Sequence, residues 1–72
     1  MEHTAVQSQD LAIVGYDTKT SILEVAFRSG RVYRYAAVSE KIYQELLNAP
    51  SLGAYFDKNI KRKFKYIKIA GK

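Results

Sequence analysis

Between Ser21 and Val38, apolar and polar side chains alternate on both sides of a Ser29-Gly30 break. Few folds accept that pattern. A period of two places successive side chains on opposite faces of an extended chain, and two such runs joined by a glycine turn read as a β-hairpin. Over Ser21 to Arg28, Leu23, Val25 and Phe27 share one face, and Ile22, Glu24, Ala26 and Arg28 share the other. Over Arg31 to Val38, Tyr33, Tyr35 and Ala37 face oppositely to Val32, Arg34, Ala36 and Val38.

Register decides which set is buried, because a slip of one residue reverses every side chain. A two-residue Ser29-Gly30 loop sets Val25 against Arg34 and places an arginine among apolar neighbours. A three-residue loop, Arg28-Ser29-Gly30 with Gly30 left-handed in a bulge, sets Val25 against Tyr33, Leu23 against Tyr35 and Glu24 against Arg34. The second register is the consistent one. Upstream, Leu11 to Tyr16 is apolar and β-branched and ends at the polar turn Asp17-Thr18-Lys19-Thr20. Val14 and Tyr16 join the apolar face if Tyr16 pairs with Ser21. Residues 1–9 are polar and unpatterned and read as a flexible N-terminus.

The period changes at Ser39. Ser39 suits an N-cap, Glu40 suits the first helical turn, and Val38 with Tyr43 suits a hydrophobic staple. Ile42, Leu46 and Leu47 form the inward stripe, and Asn48-Ala49-Pro50 ends the helix. Ser51 caps a second helix whose apolar residues Leu52, Phe56, Ile60, Phe64 and Ile67 recur at spacings of three or four. The predicted architecture is therefore α+β: a three-stranded antiparallel meander with two C-terminal helices on one face, in the order βββαα. Residues 10–69 form a single domain.

Composition limits what can stabilise and equip such a domain. The 72 residues include no cysteine and one histidine, His3, which leaves no disulfide and no credible zinc set. No apolar run reaches the roughly 20 residues of a membrane span, and no secretory leader is visible, so a soluble cytoplasmic monomer is expected. The carboxylates Asp10, Asp17, Glu24, Glu40, Glu45 and Asp57 are scattered, no nucleophile sits beside a base, and the four glycines form no phosphate-cradling loop. No catalytic residue, metal, cofactor or small-molecule substrate is expected.

The charge distribution is more informative than the net charge of +5. Residues 1–57 carry five basic and seven acidic side chains, whereas residues 58–72 carry seven basic and no acidic ones. If the second helix continues past Ile60, Lys58, Lys61, Arg62, Lys65 and Lys68 fill an arc of roughly 120° opposite the apolar stripe. A row of cations of this kind can track a phosphate backbone. Solvation alone, or the helix dipole, also accommodates such a run. Tyr33 and Tyr35 are compatible with base stacking, but their shared face assigns them to the core, and Tyr16 is treated alike. Arg34, Tyr55 and Tyr66 are better placed for exposed contacts.

The segments SQDLAIVGYD, LEVAFRSGRVYRYAAV and IYQELLNAPSLGAYFDKNIK together resemble the KTSC domain family. The resemblance covers Ser8 to about Tyr66. Among its matching positions are Gly15, Tyr16, Asp17, Phe27, Gly30, Tyr33, Tyr35, Gly53, Tyr55, Phe56 and Lys61, of which Tyr16, Phe27, Gly30, Tyr33, Tyr35, Gly53 and Phe56 make up the motif core. The chain departs at Ser39, where the family favours proline, and at Asp57, where it favours asparagine. The family also tends to break its last helix near Tyr66, which leaves residues 64–69 open between helix and extended chain. The resemblance implies a small bacterial or phage binding module linked to lysyl-tRNA synthetase. The expected partner is RNA or DNA, held by Lys58, Lys61, Arg62, Lys65 and Lys68 with Arg34, Tyr55 and Tyr66. The alternative is an acidic protein surface, such as that of RNA polymerase or a translation factor, steered by the same cations.

Overall fold

The computed structural model describes residues 2–6 and 8–71; Met1, Gln7 and Lys72, the last of the seven C-terminal cations, lie outside the described residues. The chain runs β1 (Glu2–Ala5), β2 (Leu11–Asp17), β3 (Ile22–Phe27), β4 (Val32–Tyr35), α1 (Glu40–Asn48), α2 (Leu52–Asn59) and β5 (Tyr66–Ala70). All five strands form one antiparallel sheet in sequence order.

The β3–β4 hairpin has the expected register: Leu23 opposes Tyr35, Glu24 opposes Arg34 and Val25 opposes Tyr33. Its loop is closed by Phe27 N–H donating to the Arg31 carbonyl at 2.8 Å, with Gly30 at φ 99°. That angle is cheap for glycine and costly for a residue with a Cβ. The β2–β3 turn has the expected length of four residues but lies one residue further along the chain. Tyr16 pairs with Leu23 instead of Ser21, because Asp17 and Ile22 flank a four-residue turn in which Ser21 adopts φ 57°. The Asp17 carboxylate accepts from Lys19 N–H at 2.9 Å, which lowers its pKa and fixes the turn. The slip is two residues, so Val14 and Tyr16 still face inward. A bulge between Leu11 and Ile13 lets Leu11 and Val14, three residues apart, both point into the core.

The sheet has two strands more than the expected three: β1, which nothing in the sequence signals, and β5, in the segment that the family resemblance leaves open between helix and extended chain. Glu-His-Thr-Ala is too short and polar to show a period, yet β1 pairs with β2 from Glu2↔Tyr16 to Ala5↔Ile13. On the face away from the helices, His3 opposes Gly15 and Gly15 opposes Glu24. The glycine presents no side chain between them, and the His3 imidazole reaches Glu24 at 2.6 Å. Arg34 Nε donates to the same carboxylate at 2.9 Å, and these two hydrogen bonds hold Glu24 below the usual carboxylate range against its partial burial.

The condition on which the basic helical arc depends, a second helix running past Ile60, is not met. Helix α2 stops at Asn59, where the N–H groups of Ile60 and Lys61 both donate to the Phe56 carbonyl at 2.9 Å. Residues 60–65 turn, and Ala36 N–H donates to the Lys65 carbonyl as β5 begins to pair with β4. Two influences favour this outcome. A continued helix stacks like charges at Lys58/Arg62 and Lys61/Lys65, whereas the turn breaks that i, i+4 spacing and the strand after it supplies partners for the free edge of β4. The β-branched alternation of Ile67 and Ile69 suits that pairing.

The core lies between the sheet and the two helices. Leu11, Val14, Leu23, Val25, Val38, Leu46, Phe56 and Ile60 are fully buried, and Tyr16, Tyr35 and Tyr43 nearly so. Ser39 and Ser51 cap α1 and α2, their hydroxyls accepting from Ile42 N–H and Ala54 N–H at 3.3 Å. Tyr16 stacks on Tyr43 with ring centroids 4.9 Å apart, and its hydroxyl donates to the Val38 carbonyl at 2.5 Å. This bond ties the strand to the β4–α1 connection. Tyr16→Phe leaves that buried carbonyl without its donor, so a loss of about 1–3 kcal/mol is expected. A lower denaturant midpoint at unchanged slope in chemical unfolding reports it.

Candidate nucleic-acid interface

Strand β5 builds a site that the sheet lacks without it. Its pairing sets Tyr66 opposite Tyr35 and Lys68 opposite Tyr33, so both fall on the helix-bearing side of the sheet. All five residues of β5 are nevertheless exposed. Tyr66, 55% exposed, packs edge-on to Tyr33 at 5.5 Å and tilted against Tyr35 at 5.3 Å. Phe27 meets Tyr33 edge-on at 5.6 Å and Phe56 at 5.7 Å. These contacts hold the rings in fixed mutual orientations. Phe27, Tyr33, Tyr35 and Tyr66 line a cleft of about 170 Å³ whose rim carries Ser29, Arg31 and Lys61.

Gly71 fixes the cleft's edge at the end of β5. Its φ is 95°, and a Cβ there meets the Arg31 Cα at 2.5 Å, so only glycine lets the strand end lie against the hairpin loop. Burial, with the nearby Tyr66 and Tyr33, pushes the Tyr35 phenol up to about 12. The ring therefore stays neutral at any physiological pH. Beyond Lys61 and Arg31 the cleft opens into a wider groove along α2 that reaches Asp10, Gly53 and Asp57. The groove is thus aromatic and basic at one end and acidic at the other.

The residues singled out in the sequence separate in space. Lys61 and Tyr66 meet at the cleft, and Lys68 lies one cross-strand step from Tyr33. Lys58 lies in the last turn of α2, Arg62 and Lys65 occupy the segment that follows, and all three are exposed. Lys61 approaches Asp57 at 4.0 Å with both side chains more than half exposed, a pair that neutralises little. Arg34 lies on the opposite face, held by Glu24. Tyr55 donates to Glu45 at 2.8 Å on the helical surface and does not line the cleft. Of the motif-core residues, Tyr16 and Phe56 are packing residues, Gly30 shapes the hairpin loop, and Gly53 lines the wider groove.

Phe27, Tyr33 and Tyr35, assigned to packing alone, also form the cleft wall, and Ser29 and Arg31 were missed. The only signal for Arg31 was its position after Gly30, at the end of the hairpin nearest α2. Among the described residues no group of three or more His, Cys, Asp or Glu is placed to hold a metal, and no helix is long and apolar enough to cross a membrane.

Comparison with known proteins adds a family context. The KTSC domain profile matches residues 7–64. A protein of Stutzerimonas stutzeri is 44% identical over 70 residues, covering 96% of this chain and 99% of that one. A lysine–tRNA ligase of Trichormus variabilis is 47% identical over 55 residues, which make up 76% of this chain but 10% of the ligase. The crystal structure of a KTSC domain protein from Yersinia pestis superposes with a TM-score of 0.90 at 37% identity, covering 96% of this chain and 97% of that one.

Proposed function

The chain belongs to the KTSC domain family, and from that premise we propose that it is a non-catalytic module that binds nucleic acid through the basic turn and strand following α2. One observation carries the reading. Lys58, Lys61, Arg62, Lys63, Lys65 and Lys68 are all exposed within eleven residues that include no acidic side chain. A solvated surface does not require that imbalance. Repulsion among the cations disfavours it, whereas a polyanion turns the same repulsion into affinity by releasing its condensed counterions. The ligase that contains a related segment is named for its action on tRNA, which favours RNA as the target.

The test is a titration of labelled oligonucleotides at several salt concentrations, followed by fluorescence anisotropy. Contacts to four to six phosphates give a log–log slope of roughly −3 to −4 on single strands. Saturable binding with that slope supports the proposal. Absence of a complex at low salt overturns it and leaves the cations to an acidic protein partner.

A further inference from the structure

Resting on the nucleic-acid reading, we infer that the cleft between Tyr66, Tyr33 and Phe27 takes one unpaired base of a single strand, with the flanking phosphates held by Lys61 and Lys68. Tyr66 is a large apolar ring, more than half exposed, yet oriented by Tyr33 and Tyr35 through the contacts at 5.5 and 5.3 Å. A ring held in place and more than half exposed loses little freedom when a planar ligand stacks on it, which is how single-strand binders use tyrosine.

Two cations stand near this ring. Lys61 stands at the cleft rim after α2, and Lys68 lies on the strand beside Tyr66, opposite Tyr33. A phosphodiester chain delivers the matching combination of an aromatic plane with neighbouring anions. A duplex does not, because its bases are already stacked and their faces closed. An acidic peptide supplies the anions but carries an aromatic plane only where its sequence happens to include one, whereas a single strand has a base at every phosphate.

The experiment compares three ligands on the full chain: a single-stranded RNA of about eight nucleotides, a hairpin duplex of the same composition, and AMP. It is repeated with Tyr66→Ala and Tyr66→Phe, whose unchanged thermal midpoints verify folding. The single strand is expected to bind at least tenfold more tightly than the duplex. Tyr66→Ala should lose about 5- to 150-fold, the range for one stacked base, while Tyr66→Phe stays within about twofold. Equal binding of duplex and single strand with Tyr66→Ala unaffected overturns the base-in-cleft inference and leaves the phosphate reading standing. AMP binding as tightly as the oligonucleotide also overturns it, in favour of a nucleotide pocket. No binding by either RNA overturns both readings.

Discussion

Phe56→Ala is expected to cost about 3–5 kcal/mol of folding stability, the range for deleting a buried aromatic ring. Phe56 is 1% exposed and joins α2 to two strands, meeting Phe27 on β3 at 5.7 Å and Tyr35 on β4 at 5.4 Å, both nearly edge-on. Removing it forfeits the transfer energy of the ring and both edge-to-face contacts, and it opens a void that the caps and turns around α2 hold open. At roughly 0.05–0.15 kcal/mol per residue, a chain of 72 residues has about 4–11 kcal/mol in total. The substitution therefore removes a large part of it, and no disulfide compensates. Urea unfolding measures the loss. Phe56→Leu, which keeps part of the volume, should lose clearly less, and equal losses would assign the effect to something other than the cavity.

The second large effect falls on binding and leaves the fold intact. Lys61, Arg62 and Lys65 are exposed on the turn between α2 and β5, so changing all three to Glu removes no core contact. Each phosphate contact on a single strand gains roughly fourfold from counterion release at about 0.15 M salt, so losing three costs roughly fifty-fold, and repulsion adds to that. The log–log salt slope should become shallower by about two. Unchanged circular dichroism with lost retention on heparin is the expected pair of results. Retained affinity would place the anion elsewhere on the surface.

The parts of this fold that the sequence specifies are those where one period dominates. Leu23, Val25 and Phe27 alternate against Tyr33 and Tyr35, and only one loop length keeps Arg34 out of the core, so strand, face and register follow together. Ser39 and Ser51 announce their helices because a hydroxyl at an N-cap has a definite backbone partner. Legibility fails where two periods fit the same residues. Phe56, Ile60, Phe64 and Ile67 satisfy a helical spacing, but Ile67 and Ile69 also satisfy a strand. The tie is broken by the unpaired edge of β4, a tertiary fact absent from any local window. Strand β1 fails for the related reason that its four residues have no pattern of their own and gain their conformation from β2. The cleft was hidden by the same ambiguity. With residues 64–69 helical, Tyr66 stands apart from Tyr33 and Tyr35, and two rings that serve the core have no visible second use. As a strand, the segment brings a third tyrosine beside them and turns part of a packing face into a wall open to solvent.

The most direct test is a residue-by-residue titration of the isotope-labelled chain with the single-stranded oligonucleotide, followed by amide chemical shifts in NMR. Signals of Tyr33, Lys61, Tyr66 and Lys68 should move first and saturate together, while those of His3, Glu24 and Arg34 on the opposite face stay in place. Shifts confined to that opposite face, with the cleft residues unmoved, would contradict the account.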